Sequence, residues 1–360
     1  MDKSGLHIPP EEMLEFTQSI GVAFSKILEL GDVKAGSVPR ELVYTKDKLS
    51  LYRYQSRRGA SANRVPILIV YALVNRPDIL DLQKGRSTIE SLVQNGHDVY
   101  LIDWGYPEGD DKGLTLDDYI CRYVDACVDY IRDQLDIEKV DILGVCQGGV
   151  FSLCYAALFA DKVRNLVTMV TPVDFKTSDN LLSHWVQNVD VDLLVDSLGN
   201  IPGEMLKWLF INFRPNGLTA QKYLSTIDIA DDKEALENFL LMEKWISDCP
   251  DQAGETFRQF VKDLFQENKL ALGEFKVGGR VVDLRKIDLP VLNVFAEKDH
   301  LVPPESSRAL KNLLGTDDYS ELPFDGGHIG IFVSKKSLGE VTPAISQWLK
   351  EHFSNEKTET

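Results

Sequence analysis

Apolar residues from position 65 onward form short continuous runs separated by segments with helical periodicity. The continuous runs are VPILIVYAL, HDVYLIDW, VDILGV and VRNLVTMVT, and they predict strands that are buried on both faces. The segments between them are STIESLVQNG, TLDDYICRYVDACVDYIRDQL and GGVFSLCYAALFA, and they predict helices. The second of these begins with a capping box of Thr115 and Asp118. This alternation predicts a mostly parallel sheet covered by helices on both faces.

The alternation stops near residue 175 and resumes near residue 286. The sequence between these points has helical periodicity and is rich in large aromatic residues, namely Trp185, Trp208, Phe210, Phe213, Trp245, Phe257, Phe260 and Phe265. After it, LPVLNVFAEKD and YSELPF predict strands, and PESSRALKNLLG and the segment through AISQWLKEHF predict helices. A helical insertion at this point is expected to cap the carboxyl ends of the strands, where open α/β sheets place their sites.

We therefore divide the chain into four parts. They are an N-terminal helical segment (1–40), an α/β core (41–174 and 286–353), a helical cap or lid (175–285) and a disordered tail (354–360). In the first part, residues 10–31 predict a helix whose apolar residues are Met13, Leu14, Phe16, Ile20, Phe24, Ile27 and Leu28. Docking of this helix on its own domain is favoured over contact with a partner. In the cap, ETFRQFVKDLFQ has an apolar stripe of Phe257, Phe260, Val261, Leu264 and Phe265, for which cap core or subunit interface is favoured over a substrate channel.

Net charge and cysteine content narrow the class of protein. The net charge of −17, from 39 Lys and Arg against 56 Asp and Glu, disfavours nucleic acids and anionic lipid surfaces as partners, because both bind basic surfaces. The five cysteines are Cys121, Cys127, Cys146, Cys154 and Cys249. Their spacing contains no CxxC pair, which fits a reducing cytoplasm and predicts no metal site. The start, MDKSGLHIPPEEM, lacks an apolar signal region, and no apolar run reaches the roughly 18–20 residues of a membrane span.

The segment Gly144-Val145-Cys146-Gln147-Gly148 stands where a predicted buried strand turns into a helix. This is the context of a nucleophile elbow, G-x-S/C-x-G, in which a sharp turn needs small residues on both sides of the nucleophile. The N-terminus of the following helix favours the thiolate form of a cysteine. From the motif alone, a buried structural cysteine in a glycine-rich turn remains the alternative.

A candidate acid and a candidate base follow in the order that an elbow nucleophile requires, with the acid before the histidine. Asp299 ends the strand VLNVFAEKD, and His328 lies in DGGHIG, between the last strand and the last helix. The other histidines, His7, His97, His184, His300 and His352, are less suitably placed. Order and position predict the catalytic triad Cys146, Asp299 and His328, in an α/β-hydrolase fold with a helical cap.

An oxyanion hole needs two backbone N–H donors, one of them from the residue after the nucleophile. Gln147 supplies this donor. The second is expected from the loop YALVNRP, where Val74 is preferred and its neighbour Leu73 stays open.

The thiol favours acyl transfer from a thioester over plain hydrolysis. Exchange of one thioester for another is close to thermoneutral, so the acyl group stays activated on the cysteine. An acyl-serine would already have lost that activation. Thiolates are also good nucleophiles and good leaving groups.

At these residues the chain resembles the catalytic subunit of class III polyhydroxyalkanoate (PHA) synthases. The similarity covers nearly the whole chain and rests on LIVYALVNRPDILDLQ, GHDVYLIDWGYP, LTLDDY, LGVCQGG, NLVTMVTPVDFKT, DQAGETFRQFVKD, DHLVPPESSRALK and GGHIGIFVS. The resemblance implies polymerisation of (R)-3-hydroxyacyl-CoA, chiefly 3-hydroxybutyryl-CoA, with release of CoA and without a cofactor. It places the family's nucleophile, acid and histidine on Cys146, Asp299 and His328.

The same resemblance implies a PhaE-type partner subunit, a homodimer or hetero-oligomer, and a cytoplasmic enzyme associated with polymer granules. Two other functions remain as alternatives. One is a thiol-dependent hydrolase of esters or lactones, and the other is a catalytically silent scaffold on the granule.

Overall fold

The computed structural model describes residues 10–56, 65–212 and 226–356, and its longest apolar runs form the middle of a single large sheet. The strands are β1 (Glu41–Lys46), β2 (Leu49–Tyr54), β3 (Ile67–Val70), β4 (Asp81–Gln83), β5 (Arg86–Ser87), β6 (Val99–Asp103), β7 (Val140–Val145), β8 (Val163–Met169), β9 (Lys276–Val277), β10 (Arg280–Val281), β11 (Val291–Ala296) and β12 (Tyr319–Phe324).

Eight of these strands make the large sheet, in the spatial order β1-β2-β6-β3-β7-β8-β11-β12. β2 runs antiparallel to both of its neighbours, and the other neighbouring pairs are parallel. In the centre, Val70 of β3 lies opposite Gly144 of β7, and Val145 lies opposite Met169 of β8. The carboxyl ends of the central strands therefore meet at one edge. The predicted mostly parallel sheet of an α/β-hydrolase fold is confirmed.

The α-helices are α1 (Pro10–Leu30), α2 (Thr88–Gln94), α3 (Asp125–Leu135), α4 (Gln147–Leu158), α5 (Leu181–Val186), α6 (Val191–Leu198), α7 (Gly203–Asn212), α8 (Lys233–Ser247), α9 (Gly254–Gln259), α10 (Lys269–Leu272), α11 (Pro304–Arg308), α12 (Gly330–Val333) and α13 (Lys335–Glu356). Two π-helical segments, Asp118–Val124 and Phe260–Gln266, adjoin α3 and α9. Short 3-10 turns cover Pro77–Leu80, Gly109–Gly113, Ala160–Lys162, Leu284–Lys286 and Ala309–Asn312.

The two faces of the sheet carry separate buried clusters, because successive side chains of a strand point to opposite faces. Leu68 and Val70 of β3 belong to the cluster that includes Phe151 of α4. Ile67 and Ile69 of the same strand belong to the cluster that includes Ile345 of α13. All four side chains of β3 are buried, which explains why this strand reads as a continuous apolar run.

The buried residues of the apolar stripe in ETFRQFVKDLFQ divide between two clusters. Phe260 and Leu264 belong to the large cluster on the sheet, and Val261 belongs to a smaller cluster of cap residues. Phe260, Val261 and Leu264 are buried, and the ring of Phe260 packs edge-on against Phe151 of α4 at a centroid distance of 6.3 Å. A second edge contact of 6.0 Å joins Phe260 to Phe175, at the start of the insertion. The stripe thus holds the cap against the helix that follows the elbow.

Helix α1 differs from the expectation that it docks on its own domain. Leu14, Phe24 and Leu28 are 60%, 63% and 74% exposed, whereas Ala23 of the same helix is buried. Most of the described apolar side chains of α1 are therefore uncovered by this chain.

Several elements depart from the sequence pattern. The hairpin β1–β2 and the short hairpins β4–β5 and β9–β10 are strands that were not predicted, because they are short or alternate polar and half-buried positions. The helix predicted over 115–135 is π-helical in its first half. At the end of the chain, α13 continues to Glu356, through the first part of the predicted tail, and residues 357–360 lie outside the described residues.

Candidate active site

Cys146 lies between β7 and α4 in a sharp turn with φ 53° and ψ −119°. A side chain at Gly144 would come within 2.5 Å of Ser152 Oγ, and one at Gly148 would fall on the carbonyl oxygen of Val70. Glycine is therefore required at both flanking positions of the pentapeptide, as the elbow pattern predicts. The result is a half-buried thiol at the carboxyl end of the central strand.

The histidine and the acid meet beside this turn. His328 Nδ1 lies 2.6 Å from Asp299 Oδ2, and both residues are buried. The other carboxylate oxygen, Asp299 Oδ1, accepts the backbone N–H groups of Leu301 and Val302 at 2.9 Å each. The carboxylate is thus fixed by its own loop, and its bond to Nδ1 leaves the Nε2 edge of the imidazole for another partner.

The groups around His328 change the pKa of its imidazole. Burial lowers this pKa, but the charge of Asp299, its hydrogen bond and the nearby thiol of Cys146 outweigh burial and raise it to about 10. The contribution of Cys146 places the thiol next to the imidazole.

The structure brings Cys146, Asp299 and His328 together from three strand ends. Cys146 follows β7, Asp299 follows β11, and His328 follows β12. The three strands are parallel, so these residues lie at the same edge of the sheet, where α/β folds place their ligands.

The loop after β3 contains the residues expected to supply the second oxyanion donor. The N–H of Leu73 already donates to Gln147 Oε1 at 3.0 Å. No group among the described residues accepts from the N–H of Val74. Gln147 is the first residue of α4, so its own N–H has no acceptor within the helix. Of the two loop residues left open by the sequence, the structure leaves Val74 with the uncommitted donor.

The far side of this loop is held by the cap. Asn75 Nδ2 donates to the carbonyl oxygen of Trp245 at 3.1 Å, and Trp245 Nε1 donates to the carbonyl oxygen of Arg76 at 2.7 Å. Arg76 forms a partly buried ion pair with Asp103, and its guanidinium lies 4.5 Å from the ring centre of Tyr106. Sequence reasoning missed these residues, because no local pattern indicates a contact between positions 169 or 170 residues apart.

Three other histidines bond to groups other than Cys146 and Asp299. His97 Nε2 lies 2.7 Å from Ser346 Oγ in the core, and His184 Nε2 lies 3.2 Å from the carbonyl oxygen of Ser178. His352 lies on α13, and its Nε2 is 3.3 Å from Oδ1 of Asp318, which precedes β12. His300 adjoins Asp299 in sequence, and His7 lies outside the described residues.

Over residues 10–56, 65–212 and 226–356, no group of three or more His, Cys, Asp or Glu side chains is arranged to hold a metal ion. Within the same part of the chain, none of the helices combines the length and the apolar character that crossing a membrane requires.

The comparisons with known proteins agree with this fold. Residues 65–335 match the family described as alpha/beta hydrolase fold. The chain is 58% identical over 342 residues to the poly(3-hydroxyalkanoate) polymerase subunit PhaC of Allochromatium vinosum, a match covering 95% of this chain and 96% of the relative. It is 56% identical to the protein of the same name from Thiocystis violacea, again over 95% and 96% of the two chains.

Among solved structures, the monoacylglycerol lipase of Paleococcus ferrophilus is similar in fold. The match has a TM-score of 0.51 at 19% identity and covers 84% of this chain and 99% of the lipase. At that identity the similarity concerns the fold alone.

Proposed function

This chain belongs to the PhaC family of poly(3-hydroxyalkanoate) polymerases, and on that premise we propose that it polymerises (R)-3-hydroxyacyl-CoA through an acyl thioester on Cys146. The enzyme is an acyltransferase with an α/β-hydrolase fold. The resemblance found in the sequence is thereby confirmed. The proposed monomer is chiefly 3-hydroxybutyryl-CoA, and the proposed chemistry needs no cofactor.

One observation carries the proposal: an elbow thiol stands beside a buried histidine that is paired with a carboxylate. Cys146 has the strained backbone of the elbow, and His328 is held by Asp299 at 2.6 Å. A nucleophile beside a base, with a third group orienting that base, is the arrangement of covalent acyl transfer.

Before acylation, the proton of the Cys146 thiol resides on His328, whose pKa is raised to about 10, so the two groups form a thiolate–imidazolium pair. In the acylation step, the thiolate sulfur attacks the carbonyl carbon of the acyl-CoA. The N–H groups of Gln147 and Val74 stabilise the oxyanion. The bond from the carbonyl carbon to the CoA sulfur then breaks, CoA leaves, and the proton on His328 passes to the CoA thiolate.

In the elongation step, a 3-hydroxyl group attacks the thioester on Cys146. His328 accepts the hydroxyl proton while the new ester bond forms, and the bond to the Cys146 sulfur breaks. One CoA is released for each monomer added. When the attacking hydroxyl belongs to a 3-hydroxyacyl-CoA, the elongated chain is left as its CoA thioester, and the proton on His328 returns to the Cys146 sulfur. Re-acylation of Cys146 by this thioester then releases the CoA.

The cap contributes by limiting access of water to the thioester. Its helix α8 contacts the oxyanion loop through Trp245, and its aromatic stripe packs on α4 through Phe260. An acyl-enzyme that must await a second hydroxyl needs such protection, because water would otherwise release free acid.

The test is to incubate the purified chain with 3-hydroxybutyryl-CoA and to measure free CoA, free 3-hydroxybutyrate and polymer. We expect CoA release with polymer for the wild type, and no CoA release for Cys146→Ala. Cys154→Ala is a matched control, because Cys154 is fully buried in the middle of α4. Retained turnover in Cys146→Ala would sink the nucleophile assignment. Free acid without polymer would instead identify a thiol hydrolase.

We also propose, from the family resemblance, a PhaE-type partner subunit and association with polymer granules. The uncovered apolar side chains of α1 are compatible with a partner. Size-exclusion chromatography of the chain with and without a co-expressed PhaE-type subunit tests this part. A mixture that elutes as two separate species would contradict it.

A further inference from the structure

The side chain of Gln147 reaches away from its own helix and binds the loop after β3. Gln147 is 6% exposed, and its Oε1 accepts the N–H of Leu73, which lies 74 residues earlier in the chain. The bond therefore joins the two chain segments that would each supply one oxyanion donor. The elbow motif assigns an oxyanion role to the backbone N–H of residue 147, but it assigns no function to the side chain.

We propose that the Gln147 side chain is a positioning residue that fixes the oxyanion loop, residues 71–76, against the elbow. By occupying the N–H of Leu73, it leaves the N–H of Val74 as the loop's donor for the oxyanion. This inference rests on the proposed acyl-cysteine function.

The opposite side of the loop is fixed independently. Asn75 has φ 58°, a left-handed conformation that asparagine tolerates better than most residues. Its side chain bonds to Trp245, and the Trp245 ring bonds back to Arg76. The cap thus sets the outer end of the loop, while Gln147 ties its inner end to the nucleophile's own helix.

The physical reason for such a tie is that an oxyanion donor must be in place before charge develops. A preorganised N–H stabilises the transition state because it pays no reorganisation at that moment, and displacement by tenths of an ångström weakens it. Without the Gln147 oxygen, the backbone N–H groups of Leu73 and Val74 would compete for the donor position beside the oxyanion. Substrate binding and thiol reactivity would be left largely as they are.

This reasoning separates two reactions of the same thiol. Acylation by a thioester passes through an oxyanion, so it depends on the loop. Alkylation by iodoacetamide displaces iodide at a saturated carbon and forms no oxyanion, so it depends on the thiol and its access alone.

The experiment compares Gln147→Met with the wild type. Methionine has a similar volume and no amide oxygen. We expect kcat for CoA release from 3-hydroxybutyryl-CoA to fall about 10- to 100-fold, less than the ~10²–10³-fold typical of removing a donor outright. KM and the rate of Cys146 alkylation should both stay within about twofold of wild type, because the substitution changes no charge near the thiol. Peptide mass spectrometry follows the alkylation.

Ser152→Ala is the matched control. Ser152 is fully buried on the same helix, and its Oγ donates to the carbonyl oxygen of Gly148 at 2.8 Å. The Ser152→Ala variant therefore loses a buried hydrogen bond of α4 but leaves the contacts of the oxyanion loop unchanged. We expect it to keep the wild-type kcat. Gln147→Leu provides a second apolar replacement if the methionine variant folds poorly.

The outcomes are distinguishable. If Cys146→Ala retains CoA release, the proposed function and this inference both fall. If Cys146→Ala is inactive while Gln147→Met and Gln147→Leu keep wild-type kcat, the positioning role alone is overturned. If alkylation slows as much as acylation does, the substitution acts on the thiol and the role is again overturned.

Discussion

Cys146 occupies a backbone conformation that costs a residue with a Cβ on the order of 1–3 kcal/mol. The surrounding backbone holds it there from both sides. Its N–H donates to the carbonyl oxygen of Met169 at 2.9 Å, and its carbonyl oxygen accepts the N–H of Gly149 at 3.0 Å. The strained turn projects the thiol from the end of the sheet toward His328, which is what the proposed chemistry requires.

Asp299 is expected to matter more for elongation than for acylation. CoA leaves as a stable thiolate, so acylation needs little help from an oriented base. A 3-hydroxyl is a much weaker acid, so its attack needs the imidazole held in place by the carboxylate. In Asp299→Asn we expect near-normal CoA release in the first turnover and elongation reduced by about 100-fold, a magnitude typical of general-base catalysis. Rapid-quench measurement of CoA and polymer checks this, and normal elongation would refute the division of roles.

The raised pKa of His328 gives stability a pH dependence of definite sign. A histidine with a folded-state pKa of about 10 contributes stability that is complete below its unfolded pKa of about 6.5. That contribution declines as the pH rises toward about 10. Asp299→Asn removes the main cause of the increase. The difference in unfolding free energy between wild type and variant should therefore be largest near pH 6.5 and shrink toward pH 10, as measured by denaturant titration. A difference that is constant with pH would contradict this assignment.

At the scale of elements, the close approach of α4 to the end of β3 sets the geometry of the elbow. Gly148 is the point of contact, and a methyl group there would fall on the carbonyl oxygens of Val70 and Tyr71. Gly148→Ala is expected to push α4 away from the sheet, destabilising the fold by about 1–3 kcal/mol and lowering CoA release. Gly339→Ala is the matched control, because a methyl group at Gly339 of α13 meets nothing within 4 Å.

The Gly339→Ala control should leave stability unchanged or increase it by up to about 1 kcal/mol, because alanine has a higher helix propensity than glycine. Thermal unfolding and CoA release of the two variants check the prediction. Equal stability of Gly148→Ala and the wild type would show that the helix can shift without cost.

Strands buried on both faces were the most predictable elements. β7, whose six side chains are all buried, has the predicted bounds because its apolar run is continuous. The half-exposed edge strand β12 also has the predicted bounds, because turns limit its short run on both sides. The hairpin β1–β2 was not predicted, because its strands contain polar residues and lie at the edge of the sheet, where β2 alone pairs with β6. The contact of α8 with the oxyanion loop was equally hidden, since Trp245 and Asn75 are 170 residues apart.

At the scale of the whole molecule, the charge of −17 opposes an anionic acyl-CoA during encounter. Salt screens this repulsion over a Debye length of about 10 Å at 0.1 M. We expect kcat/KM for 3-hydroxybutyryl-CoA to rise as NaCl increases from about 10 to about 150 mM, where the screening length shortens most. Initial rates of CoA release at low substrate concentration measure this. A fall in kcat/KM would show that a basic patch at the site outweighs the net charge.

The amino-acid sequence alone determined the fold class, the presence of a helical insertion, and the chain order of Cys146, Asp299 and His328, from which the catalytic triad is predicted. These follow from local periodicity, from turn chemistry at Gly144 and Gly148, and from chain order, all of which can be read along one dimension. Only the tertiary structure decided that Gln147 binds Leu73, that Trp245 holds the oxyanion loop, and that α1 leaves its apolar side chains uncovered. Such contacts depend on which distant backbone groups the packed sheet brings within about 3 Å of a donor or acceptor, and no pattern of neighbouring residues encodes that distance.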